Sequence, residues 1–129
     1  MKTTVYVFFL LLIVIACRQH SVEEIESEDI YISQVDVGSE KDGFQKLYKN
    51  DQLIAIGHST QGKKNGFWKF YRNKKLYAEG HLDRDVKYGF WKVYYPNGQV
   101  KSEGHYDKGI KYGFWKYYKT DGTAQEKRY

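Results

Sequence analysis

The chain has 129 residues, enough for one modest domain, and its 21 Lys and Arg against 16 Asp and Glu give a formal net charge of +5. Aromatic residues make up 18% of the chain, which is too much for a disordered protein. A single cysteine excludes both an internal disulfide framework and a cysteine-rich zinc site.

Residues 1–16 have the pattern of an export signal. One positive charge, Lys2, precedes an unbroken apolar run from Val5 to Ala16. This run is shorter than the roughly 20 residues that span a bilayer as a helix, and it fits the apolar region of a signal peptide. It ends in Val14-Ile15-Ala16-Cys17, which resembles the bacterial lipobox. We therefore expect lipid attachment at Cys17 and an exported protein anchored to a bacterial membrane, with an ordinary leader or an uncleaved anchor as the alternatives. Arg18 after the cysteine favours the outer membrane.

Residues 17–43 are interpreted as the lipidated cysteine and an acidic tether. Residues 18–43 contain two basic and eight acidic side chains, a net charge of −6, whereas residues 44–129 contain 18 basic and eight acidic side chains, a net charge of +10. A charge-rich segment of this kind is typical of a solvated linker. Within it, Ile30 to Val37 has enough β-branched residues for a short strand.

The remaining part, residues 44–129, is a repeat domain. The tripeptide Gly-Phe-Trp begins at Gly66, Gly89 and Gly113, at spacings of 23 and 24 residues, and a degenerate copy begins at Gly43. A fixed period of this length indicates a repeat architecture, here with four copies of which the last is shorter.

Each copy predicts one β-hairpin. In the second copy the strands are expected over Phe67–Tyr71 and Leu76–Leu82. The first two copies have two-residue loops, and the last two have the three-residue loops Pro96-Asn97-Gly98 and Thr120-Asp121-Gly122. A three-residue loop needs a type I turn followed by a left-handed residue, which glycine supplies.

Counting back from these loops gives a predicted register that all four copies share. Tyr71 is expected opposite Leu76, Lys69 opposite Ala78, Trp68 opposite Glu79 and Phe67 opposite Gly80. In the third copy the same register places Tyr94 opposite Val100 and Phe90 opposite Gly104.

The pattern resembles the MORN repeat, in the bacterial variant often labelled as the antitoxin component of a toxin–antitoxin pair. The matching residues are Gly89-Phe90-Trp91, Tyr94-Tyr95, Asn97-Gly98, Glu103-Gly104-His105-Tyr106, Lys108-Gly109 and Gly113-Phe114-Trp115. The resemblance covers about two thirds of the chain and implies a scaffold, a partner-binding surface or a lipid-contacting surface. We expect an all-β, single-layer, twisted antiparallel sheet of tandem hairpins, with about eight strands.

Two rows of side chains are candidate binding sites. One face should carry a lysine in every copy, and the other a tryptophan in three copies: Lys46, Lys69, Lys92 and Lys116, and Trp68, Trp91 and Trp115. The lysines suggest an anionic partner, unless their ammonium groups simply reach water over Phe and Tyr rings. The tryptophans suggest a sugar or peptide platform, unless they pack the hairpins together. The glycines expected to be structural are Gly57, Gly66, Gly80, Gly89, Gly104 and Gly113.

No catalytic motif is visible, so an enzyme is the least expected class, and no cofactor is predicted. His58, His81 and His105 occupy one repeat position and should lie roughly 10 Å apart, too far to share one metal ion. Because the chain has an export pattern, nucleic acid is not an expected partner.

The sequence leaves three functional hypotheses. The first is a non-enzymatic, membrane-anchored scaffold that binds a protein partner or an anionic envelope surface through an aromatic and basic ribbon. The second is an envelope polysaccharide-binding module that uses the tryptophans. The third is an immunity or antitoxin-like protein for a toxin.

Overall fold

A computed structural model describes residues 42–129. The predicted signal peptide, Cys17, the tether and the possible strand at Ile30 to Val37 lie outside the described residues. The described part contains eight strands: β1 (Gly43–Lys49), β2 (Gln52–Thr60), β3 (Lys63–Arg72), β4 (Lys75–Asp83), β5 (Val86–Tyr94), β6 (Val100–Asp107), β7 (Ile110–Tyr118) and β8 (Ala124–Arg128).

The eight strands form one open sheet in which spatial order follows chain order from β1 to β8. Every neighbouring pair is antiparallel. This architecture confirms the predicted all-β, single-layer sheet of tandem hairpins.

The loops within the hairpins have the predicted chemistry. In the first two hairpins both loop residues have positive φ, with 50° at Asn73 and 63° at Lys74, as a type I′ turn requires. In the third hairpin the Gly98 N–H donates to the Tyr95 carbonyl, and Gly98 has a φ of 88°. The fourth hairpin repeats this arrangement at Lys119 and Gly122, which confirms the type I turn followed by a left-handed glycine.

The predicted register holds beside the turns. Farther from the turns it is wrong in the first three hairpins and correct in the fourth. Tyr71 lies opposite Leu76 and Tyr94 opposite Val100, as expected. A β-bulge then follows in each of the first three hairpins, and it leaves Tyr77 of β4 without an opposite residue. From there on every pairing is shifted by one position.

The shift changes the residues that face each other in the second hairpin. Phe67 lies opposite His81 instead of Gly80, Trp68 opposite Gly80 instead of Glu79, and Lys69 opposite Glu79 instead of Ala78. The third hairpin is shifted in the same way, so Phe90 lies opposite His105 rather than Gly104. The fourth hairpin has no bulge and keeps the predicted register, with Tyr118 opposite Ala124 and Phe114 opposite Arg128. The prediction that all four copies share one pairing is therefore wrong.

One face of the sheet holds the core. Trp68, Phe70, Trp91 and Trp115 are almost completely buried there, although residues 42–129 form no second layer of secondary structure over them. Their rings pack side by side across the strands. The centroid of Phe70 lies 6.1 Å from those of both Trp68 and Trp91, and that of Tyr106 lies 5.0 Å from that of Trp115. Large aromatic rings thus supply the buried area that a thin sheet otherwise lacks.

Candidate functional site

The three tryptophans link each hairpin to the one before it. Trp91 lies against Gly80, where a Cβ atom would overlap the indole ring, and Gly57 and Gly104 stand in the same relation to Trp68 and Trp115. The indole N–H of Trp91 donates to the His81 carbonyl at 3.0 Å. Equivalent bonds join Trp68 to His58 and Trp115 to His105. These contacts give Gly57, Gly80 and Gly104 a packing role.

The same contacts decide what the tryptophans can do. Trp68, Trp91 and Trp115 have at most 1% of their surface exposed, so their rings do not form a platform that a ligand could reach. The other glycines, Gly66, Gly89 and Gly113, have positive φ values of 64° to 85° where the chain enters each Phe-Trp pair. Their role is conformational, since left-handed backbone suits glycine.

The predicted lysine row exists, but glutamates alternate with its lysines. Reading across the sheet from β1 to β8, the paired residues are Lys46, Ile56, Lys69, Glu79, Lys92, Glu103, Lys116 and Glu126. We call this line the charged row. Lys69 Nζ lies 3.8 Å from a carboxylate oxygen of Glu79, and Lys92 Nζ lies 3.7 Å from one of Glu103. The glutamates therefore offset much of the positive potential expected from the lysines.

Tyrosine hydroxyls hold two of these glutamates in place. The Tyr94 hydroxyl donates to Glu79 at 2.6 Å, and that of Tyr118 donates to Glu103 at 2.7 Å. Burial and the Glu79 hydrogen bond raise the pKa of Tyr94, and the Glu103 hydrogen bond raises the pKa of Tyr118. Tyrosine is protonated at neutral pH even without these shifts, so both phenols act there as hydrogen-bond donors.

A strip of aromatic rings lies beside the charged row on the same face. It consists of Phe44, Phe67, Tyr88, Phe90, Tyr112 and Phe114, each between 40% and 67% exposed, and we call it the aromatic strip. The predicted register placed Phe67 and Phe90 over bare glycine. The bulges instead leave these rings at the surface, opposite histidines.

The three repeat histidines support the aromatic strip. The ring centroids of His58 and Phe44, His81 and Phe67, and His105 and Phe90 lie 5.1 to 5.4 Å apart in edge-to-face contact. His81 also contacts Tyr88, with centroids 5.7 Å apart. Within residues 42–129, no group of three metal-ligating side chains is placed to hold an ion.

A second set of lysines lies on the core face. Lys87 Nζ lies 5.1 Å from the Trp91 ring centroid, and Lys111 Nζ lies 4.5 Å from that of Trp115. The equivalent Lys64 is almost fully buried, and its ammonium lies 3.0 Å from the Asp85 carboxylate. Sequence reasoning missed these lysines. A lysine occurs two residues before each Gly-Phe-Trp, and this recurrence could have identified them from the sequence.

The described residues include no helix long and apolar enough to cross a membrane. Comparison with known proteins gave no matching family model and no matching curated protein.

Proposed function

We propose that this protein is a non-enzymatic, membrane-anchored repeat scaffold whose aromatic strip binds a protein partner. The observation that carries this proposal is the aromatic strip itself: six rings from β1, β3, β5 and β7 stay 40% to 67% exposed on one face. Exposed aromatic rings that recur along one face in this way are typical of an interaction site.

The charged row supports a protein partner better than an anionic surface. An anionic membrane or polysaccharide would meet Glu79, Glu103 and Glu126 between the lysines. A protein interface commonly has an aromatic centre and a polar rim, and the charged row would supply such a rim. The binding surface we propose is thus the aromatic part of the ribbon expected from the sequence.

The membrane anchor is proposed from the sequence. The apolar run that ends at Cys17 favours lipid attachment there, and two or more acyl chains would give stable attachment. Arg18 favours the outer membrane. The resemblance to the MORN repeat agrees with a scaffold role, and the tandem hairpins of β1 to β8 support that resemblance.

Photo-crosslinking in intact cells tests this function. A photoreactive phenylalanine analogue would replace Tyr112, which is 67% exposed in the aromatic strip, or Thr120 in the last hairpin loop as a control. We expect a discrete protein adduct from position 112 and none from position 120. Equal labelling from both positions, or no adduct from position 112, would refute the proposal.

A further inference from the structure

One groove lies at the end of the sheet where the hairpin loops are. It runs between the loop of the second hairpin, at Asn73 and Lys74, and that of the third hairpin, at Pro96. Its volume is about 200 Å³, and its apolar walls are Leu76, Tyr77, Tyr94, Tyr95 and Pro96. We call it the loop groove.

The walls of the loop groove are held by contacts within the protein. The Tyr94 hydroxyl donates to Glu79, and that of Tyr95 donates to the Tyr118 carbonyl at 2.7 Å. The Arg72 guanidinium lies 4.1 Å from the centroid of the Tyr77 ring. Side chains fixed in this way lose little conformational freedom when a ligand binds.

The loop groove is where the repeat is broken. At the position of Tyr95 the other copies have cations: Lys49, Arg72 and Lys119. At the position of Tyr77, the bulged residue of the second hairpin, the first and third hairpins have Ile54 and Lys101. Pro96 is the only proline of the chain, and the fourth copy has Thr120 there. Other hairpins of the sheet form with different residues at these positions, so the hairpin itself does not require Tyr77, Tyr95 and Pro96.

The charge around the loop groove indicates what it would accept. Arg72 and Lys75 lie on its rim, and none of its lining residues is acidic. Among the described residues Lys75 makes no ion pair, so its charge is available to a partner. Complementary charge of this kind contributes mainly to specificity and to the rate of association.

We propose that the loop groove binds an extended segment of a partner protein in which proline and leucine side chains are flanked by carboxylates. Tyrosine and proline walls offer flat apolar surfaces that suit the rings of an extended, proline-containing segment. Lys75 would meet one of the flanking carboxylates. This site does not depend on the aromatic strip, because Phe67 and Arg72 lie five residues apart on β3, about 16 Å along the strand.

Fluorescence anisotropy with the full-length protein tests the site. The probe is a labelled synthetic peptide with a Pro-Leu-Pro core and glutamates on both sides. One comparison peptide has lysines in place of the glutamates, and another has serines in place of the core. We expect saturable binding of the first peptide and about tenfold weaker binding of both comparison peptides.

Two variants and a matched control locate the site. Pro96→Thr introduces the residue that the fourth hairpin already carries, so its loop should still fold, and Lys75→Glu reverses the rim charge. Each should weaken binding about fivefold or more. Lys49→Glu makes the same charge change at the first hairpin and should leave affinity unchanged. Absence of binding, equal binding of all peptides, or equal loss in Lys75→Glu and Lys49→Glu would overturn the proposal.

Discussion

Trp115 lies against Gly104 of the preceding hairpin, in the space that any larger residue would fill. Its indole N–H also donates to the carbonyl of the next residue, His105, at 2.9 Å. The same arrangement recurs at Gly57 and Gly80. The Gly-His pair of one copy and the Trp of the next copy thus join neighbouring hairpins, and within residues 42–129 no second layer of secondary structure does so.

The first prediction tests this contact through a double-mutant cycle. Gly104→Ala should lower the free energy of unfolding by about 1–3 kcal/mol, because the new Cβ overlaps the Trp115 ring. In a protein that already carries Trp115→Leu, Gly104→Ala should lower the free energy of unfolding by about 1 kcal/mol less than it does in the wild type. Urea unfolding followed by circular dichroism measures each value.

The control for this cycle distinguishes the observed register from the one expected from the sequence. Gly104→Ala combined with Phe90→Leu should be additive within about 0.5 kcal/mol, because Phe90 faces His105. Coupling of Gly104 to Phe90 and not to Trp115 would instead support the register with Phe90 over glycine.

A second prediction concerns the loop of the second hairpin. Lys74 has a φ of 63°, a left-handed conformation that is costly for a residue with a Cβ atom. Lys74→Gly should raise the free energy of unfolding by about 0.5–1 kcal/mol, because Asn-Gly is the preferred pair for a type I′ turn. The reverse change, Gly98→Ala, should destabilise the third hairpin, where φ is 88°. An unaltered urea midpoint in both variants would contradict these turn assignments.

The third prediction is a pH dependence at Asp85. Burial by itself raises the pKa of this carboxyl, but the hydrogen bond from the Lys64 N–H and the nearby Lys64 ammonium outweigh burial and lower it below the usual value. A carboxyl with a lowered folded-state pKa contributes stability above its unfolded pKa of about 3.9 and loses it as the pH falls through the folded value.

We therefore expect the urea midpoint of the wild type to fall below about pH 4 more steeply than that of Asp85→Asn. At neutral pH the variant should be less stable by about 1–3 kcal/mol, because it removes the carboxylate that lies 3.0 Å from the buried Lys64 ammonium. Asp83→Asn, at the exposed end of β4, is the matched control and should follow the wild type. Parallel pH profiles for Asp85→Asn and the wild type would show that this ion pair does not contribute.

The sequence predicted the hairpins and their loops because glycine, proline and asparagine act locally on the backbone. It did not predict the bulges at Ile54, Tyr77 and Lys101, since these three residues share no property that marks a bulge. A one-residue shift exchanges the residues that face each other, so Glu79 was assigned to Trp68 instead of Lys69. The charged residues could have indicated the correct register, because only the observed register places Lys69 and Lys92 opposite carboxylates.

The candidate site was predicted in part for the same reason. Lys69, Lys92 and Lys116 were placed on the correct face, but their glutamate neighbours were missed. The exposure of Phe90 was not predicted, because the expected register placed its ring over Gly104. The burial of Trp91 depends on a glycine from the neighbouring hairpin, a contact that a register within one hairpin cannot reveal.

The most direct test of the binding surface is the affinity of the crosslinked partner for two sets of variants at low and high salt. Tyr112→Ser with Phe114→Ser removes the two most exposed rings of the aromatic strip, whereas Lys69→Gln, Lys92→Gln and Lys116→Gln together remove charge and keep the side-chain stems. We predict that the serine variant binds at least about tenfold more weakly at both salt concentrations, whereas the glutamine variant changes by less than about twofold. Normal affinity of the serine variant, together with a salt-sensitive loss in the glutamine variant, would contradict the proposed surface and assign the contact to the lysines.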